Sequence, residues 1–140
     1  MIGFIEIFMA VIIIAALVLI LILSVHGRRS KNSFDHEYYQ SQWAKVVASL
    51  KIGEAGWRLA IIDGDKLCDQ ALRQSGAAGD TMGDRLRATE KVFSRYNDLW
   101  SAHKFRNKLV HEPNVKLTKQ LSERILREYA RALKELGALE

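Results

Sequence analysis

Residues 7–23, IFMAVIIIAALVLILIL, hold no charged or strongly polar side chain, and no polar stripe recurs within them. A helix buried in a globular core keeps such a stripe, so this run predicts a membrane-crossing helix. With Gly3, Phe4, Ile5 and Val25 added it reaches the ~20 residues that span a bilayer. Only Glu6 interrupts it, one turn from the start. A cleaved signal peptide would want a basic start and a small-x-small site after the apolar run. The first six residues carry no Lys or Arg, and SVHGRRSK follows the run. The expected organisation is a retained transmembrane anchor at 1–27, a polar tether RRSKNS at 28–33 and a helical domain at 34–140.

From Phe34 onward the apolar positions recur three and four apart. Trp43, Val46, Val47 and Leu50 form one helix face, and Gly53 and Gly56 predict a bend or break near IGEAG. Trp57, Ala60, Ile61, Cys68, Ala71 and Leu72 mark a second helix, with its Arg, Asp and Lys residues assigned to the other faces and Gly76 as its terminator. Thr81, three residues before Asp84 in TMGDRLRA, approximates a capping box. Phe93, Tyr96, Leu99, Trp100 and Phe105 trace a helix from about Glu90 to Leu109, which Pro113 must end. Thr118 caps a last helix carrying Leu121, Ile125, Tyr129, Leu133 and Leu136, closed by Gly137. No segment alternates as a strand does. The fold class expected is all-α, an N-terminal transmembrane helix followed by a small bundle of four to five helices joined by short loops.

Charge sets topology more than it sets ligand class. All 21 Lys and Arg follow the apolar run, with Arg28, Arg29 and Lys31 directly after it. The positive-inside bias then places the N-terminus outside and the C-terminal domain in the cytoplasm, at the inner membrane. The single Cys68 suits a reducing compartment and reads as a small buried hydrophobe. Without the three juxtamembrane cations the folded part is only about +3, too little to mark a nucleic-acid binder by net charge alone. The implied partners begin with the lipid bilayer.

The chemistry concentrates in HKFRNKLVHEPN, residues 103–114. His103, Asn107 and His111 are four apart and share a helix face. Arg106 and His111 point ~140° apart in a straight helix. They meet if the helix loosens before Pro113, or if a two-fold partner supplies the second group. Arginine matches phosphate with a permanently charged planar fork. Histidine moves protons near neutral pH, and asparagine can orient either group. Phosphodiester cleavage needs no more than this, and no carboxylate cluster stands by to hold a metal. No cofactor is implied.

Arg106-Asn107 with His111 resembles the arginine-polar-x-x-x-histidine motif of the HEPN superfamily, all-helical domains that include many metal-independent ribonucleases. The acid-containing helix WRLAIIDGDK, the motif late in a following helix and the closing helix extend the resemblance over about residues 36–136. It implies a homodimer with two motifs facing one cleft. Arg106 would hold the scissile phosphate, His111 would act as acid or base, and Asn107 would position them. Cleavage would leave a 2′,3′-cyclic phosphate. His103, Lys104 and Lys108 are the substrate-binding candidates. The role implied is an endoribonuclease of stress response or defence, acting on RNA and held in check by a regulatory protein or antitoxin.

Plainer readings stand beside these. Arg106 can pair with Asp63 or Asp65; His111 is favoured as a cation at a helix C-terminus. His103 reads more readily as a surface histidine, and Lys104 and Lys108 as a solvated face. His103 and His111, two turns apart, are too distant to share a metal. Trp43, Trp57 and Trp100 sit on apolar stripes as core residues. Gly64, costly inside a helix, marks a close helix approach, such as a dimer seam would supply. Two alternatives to a ribonuclease follow: a non-catalytic nucleotide- or partner-binding module, and an oligomeric membrane effector. The second is weakened by a span with no polar stripe to line a pore.

Overall fold

The structure, a computed structural model, describes residues 3–27 and 34–140. The polar tether proposed at 28–33 lies outside them. Among the described residues six α-helices follow one another: α1 (Phe4–Gly27), α2 (His36–Ser49), α3 (Glu54–Gln74), α4 (Met82–Ala88), α5 (Tyr96–His111) and α6 (Lys119–Glu135), with 3-10 turns at Leu50–Ile52 and Glu90–Val92. No strand occurs among the described residues. The chain divides into two compact units, residues 1–32 and 33–140.

The first unit corrects an expectation. Side chains in α1 are described from Glu6 to Leu21, and every one is exposed. Among the described residues no helix is long and apolar enough to cross a membrane. The transmembrane anchor is therefore not upheld. The inner-membrane, N-outside placement falls with it.

The second unit is a helical bundle whose ends are written in its sequence. The Asp35 side chain accepts the Tyr38 N–H to start α2, and Thr118 accepts the Leu121 N–H to start α6. Thr81 and Asp84 complete the reciprocal capping box of α4. Gly53 breaks the chain between α2 and α3 at φ +89°, a conformation that disfavours side chains. Glu112, held extended ahead of Pro113, ends α5. The third predicted helix differs at its start. Phe93 adopts an extended conformation after the 3-10 turn, so α5 begins at Tyr96 rather than near Glu90. The Ser94 N–H there turns to the Glu135 carboxylate on α6.

α3 is the central helix, packed against α2, α4, α5 and α6. Ala60, Ile61, Leu67, Cys68, Ala71 and Leu72 are all buried. Gly64 lets α6 come close: a Cβ there would lie 2.9 Å from Tyr129 Cδ2 and 3.2 Å from Leu126 Cδ2. The approach is therefore within one chain and does not mark a dimer seam. Trp43, Trp57 and Trp100 pack on the core from its edge, each half-buried.

Candidate functional site

Asp65 lies on the buried stripe of α3, four residues after Ile61 and three before Cys68, and is only 3 % exposed. Its Oδ1 accepts hydrogen bonds from His103 Nδ1 at 2.8 Å and from the Tyr129 hydroxyl at 3.1 Å. Arg106 Nε lies 3.3 Å from Oδ2. That approach is an ion pair without a hydrogen bond, because Nε is buried and its N–H is not aligned on any acceptor. Three helices thus converge on one carboxylate, α5 supplying His103 and Arg106 and α6 supplying Tyr129. A buried carboxylate is tolerated where it is paired and hydrogen-bonded in this way.

The proton positions follow from the donors. Arginine can only donate, so the Asn107 atom facing Arg106 Nη1 at 2.9 Å is its carbonyl oxygen. Asn107 Nδ2 then faces His103 Nε2 at 3.2 Å and donates to it. His103 carries its proton on Nδ1 and gives that hydrogen bond to Asp65. Both ring nitrogens are occupied. His103 is 8 % exposed, which corrects the surface reading. It positions Asn107 and, through it, Arg106. Burial, and then the Asp65 charge beside it, pushes the Tyr129 hydroxyl well above its ordinary pKa, so it remains a donor.

This network forms one wall of a cleft of about 770 Å³ between α3, α4 and α5. Lys66, Arg73, Arg85, Arg87, Lys104 and Arg106 border it, against Asp65, Asp69 and Asp80. Asp69 is shared by Arg73 and Arg85, which leaves one of that pair's two charges uncompensated. Arg85, nearly fully buried, also donates to the Gly79 carbonyl at 2.7 Å and so fixes the loop before α4. The cleft is consequently cationic, with an ion-pair lattice that holds its cations in place.

The predicted site residues are distributed unevenly. Arg106, Asn107, His111, His103 and Lys104 all border the cleft. Lys108 does not; it is exposed and faces Glu112 at 3.8 Å. α5 stays α-helical through His111, so the loosening that would swing His111 toward Arg106 does not occur. His111 is exposed at the cleft's end, the one histidine of the motif free to meet a solute. Of the two acids considered for Arg106, Asp65 is the partner; Asp63 instead faces Lys66 at 3.5 Å. Among the described residues no group of three His, Cys, Asp or Glu is placed to hold a metal ion.

Two contributors were only partly read from sequence. Asp65 was named as a possible partner of Arg106 but assigned to a polar face, although its spacing from Ile61 and Cys68 places it on the apolar stripe. Trp100 was assigned to the core, yet it borders the cleft with Arg87 above its ring at 5.4 Å. A second groove of about 580 Å³ lies on the other side of α5, against α6. It is rimmed by Arg95, Asp98, Arg124, Arg127, Glu128 and Arg131 and contains none of the motif residues.

Comparison with known proteins finds no matching family model, no matching curated protein and no matching solved structure.

Proposed function

We propose that this protein is a HEPN-like module that binds RNA in the α3–α4–α5 cleft and, as a homodimer, cleaves it without a metal. The observation that carries this reading is the arrangement along α5. An exposed His111 and an Arg106 braced from behind by Asn107 and Asp65 border one cationic cleft. Arg106 would bind the scissile phosphate through the part of its fork not committed to Asn107 and Asp65. The ribose 2′-hydroxyl would attack phosphorus as its proton passes to His111. The bond to the 5′-oxygen would break as the partner's His111 protonates that leaving group, giving a 2′,3′-cyclic phosphate and a 5′-hydroxyl. Two protomers are needed because His103 has no free nitrogen and each cleft offers one available histidine, His111. A regulatory protein or antitoxin would restrain such an enzyme in a stress-response or defence setting.

The test is incubation of the full-length chain with end-labelled RNA in EDTA, beside Arg106→Ala and His111→Ala. Cyclic-phosphate ends that vanish in both variants support the reading. A folded wild-type dimer that binds RNA and leaves it intact overturns the cleavage step.

A second reading is favoured by the Arg106–Asp65 pair. An arginine already neutralised within its own protomer suits a module that binds a nucleotide without cleaving it. RNA or nucleotide binding that depends on Arg106, with strand ends unchanged, is the outcome it requires.

A further inference from the structure

The rim of the cleft opposite His111 is built by an aromatic residue that the cleavage chemistry leaves unused. Trp100 stands seven residues before Asn107 on α5, about two helical turns or ~11 Å along its axis. That distance is on the order of three stacked nucleotide steps of ~3.4 Å. Trp100, Lys104, Asn107 and His111 follow one another at spacings of four, three and four, so they line a single strip of the cleft. Tyr96 backs the indole in a stacked arrangement, with centroids 6.1 Å apart and planes at 23°. The Gly83 backbone borders the ring's edge, since a Cβ there would lie 3.5 Å from Trp100 Cη2.

What covers the ring is movable. Arg87 lies over it at 5.4 Å, and its side chain is 64 % exposed. Its other tie is the Asp84 carboxylate at 3.0 Å, on the same short helix. The other tryptophans are differently placed. Trp57 gives its indole N–H to the Leu50 carbonyl at 3.1 Å, and neither Trp57 nor Trp43 borders this cleft.

We infer that Trp100 and Arg87 form a nucleobase subsite, and that the ligand of the cleft is single-stranded RNA with one base inserted between indole and guanidinium. The inference rests on the reading of the cleft given above. Stacking a base on an aromatic ring contributes more than an exposed cation–π contact, so insertion exchanges a weaker partner for a stronger one. Arg87 is retained, since it can stack on the outer face of the base. Paired strands keep their bases stacked within the duplex and cannot enter. The subsite therefore selects unpaired strands and, because every base has a π-face, does so with little sequence preference.

The test uses the full-length chain and two labelled strands of equal length: oligoadenylate, and a ribose-phosphate strand lacking bases. Wild type is expected to bind oligoadenylate about tenfold more tightly than the abasic strand. Trp100→Leu should remove that preference, whereas Arg106→Ala should weaken both strands together. Equal wild-type affinity for the two strands overturns the subsite while leaving the phosphate cleft standing. Wild type binding neither strand overturns the cleft itself. A Trp100→Leu protein that keeps the preference also overturns the subsite. Should that variant unfold, Arg87→Ala carries the test, because a base sandwiched by Arg87 must lose part of its advantage. An unchanged preference in Arg87→Ala overturns the sandwich.

Discussion

α5 presents arginines and carboxylates on two sides, and the two sides are built differently. Toward α3, Asp65 is buried and gathers His103, Tyr129 and Arg106 from two other helices. Toward α6, Arg95 pairs with Asp98 and Arg131 with Glu128, each within its own segment along an open groove, with Arg95 and Asp98 about half exposed. The residue types are the same and the consequences are not. Ion pairs in water give up strong hydration for a contact that salt and side-chain entropy largely offset. A buried carboxylate without its partners has nowhere to place its charge. The cleft side is thus fixed in geometry, as a site that orients an arginine requires, and the exposed Arg95–Asp98 pair of the groove side can rearrange at little cost.

Removing one carboxylate from each side should break the comparison most sharply. Asp65→Ala strands the His103 and Tyr129 donors and the Arg106 charge together, and should lower unfolding stability by ~3–5 kcal/mol in urea titration. That is a large share of a small domain's ~5–15 kcal/mol. Asp98→Ala, on the groove side, should leave the urea midpoint close to wild type. Equal losses would mean that burial is not what separates the two faces.

Activity and stability should separate at the cleft's open end. If the cleavage reading holds, His111→Ala should slow RNA cleavage ~10²–10⁴-fold, the usual contribution of a general acid or base. Its melting temperature should not move, because the side chain is exposed. A melting temperature that falls with the rate would reassign His111 to stabilising the end of α5.

Gly64→Ala probes the network from behind. Alanine gains ~1 kcal/mol of helix propensity, but its methyl group meets Tyr129 Cδ2 at 2.9 Å. Tyr129 is tied to Asp65 and cannot move freely, so overpacking of ~1–3 kcal/mol should win. Denaturation of this variant should show net destabilisation; a stabilised protein would mean that the α3–α6 contact is looser than described.

The smallest effect belongs to α4. The Thr81 hydroxyl, followed by the Arg87 guanidinium, holds the Asp84 carboxyl down at about 2 from an ordinary 3.8. A folded-state value below the unfolded one adds stability above about pH 4, and that contribution is lost as pH falls toward 2. Circular dichroism melts between pH 5 and 2 should show this loss, and Asp84→Asn should flatten that part of the profile. The group is exposed, so the change is modest.

Much of the bundle was legible because local chemistry dictates helix ends. Thr81 with Asp84, Thr118, Gly53, Gly76, Gly137 and the residue before Pro113 all act within a few positions of themselves. The motif was legible in part for the same reason: its spacing placed Asn107, His103 and His111 on one face. What escaped was set by other helices. Nothing local to Asp65 says that His103 and Tyr129 will join Arg106 in stabilising its charge, so its place on the apolar stripe was passed over. His103 looked like a surface residue until α3 covered it. The break at Phe93 depends on Glu135, more than forty residues later, accepting the Ser94 N–H.

Cys68 gives the molecule its own clock. It is the single cysteine, 1 % exposed between α3 and α6, with its thiol directed at the Tyr129 carbonyl at 3.6 Å. Burial raises its pKa well above the ordinary thiol value, aided by the charges of Asp65 and Asp69. The reactive thiolate is thus suppressed while the helices are closed. Alkylation can proceed only from conformations in which α6 has lifted from α3. Its rate therefore counts openings of the interface that holds Tyr129 against Asp65. A solute that tightens the cleft would slow that count without the chain carrying any added probe.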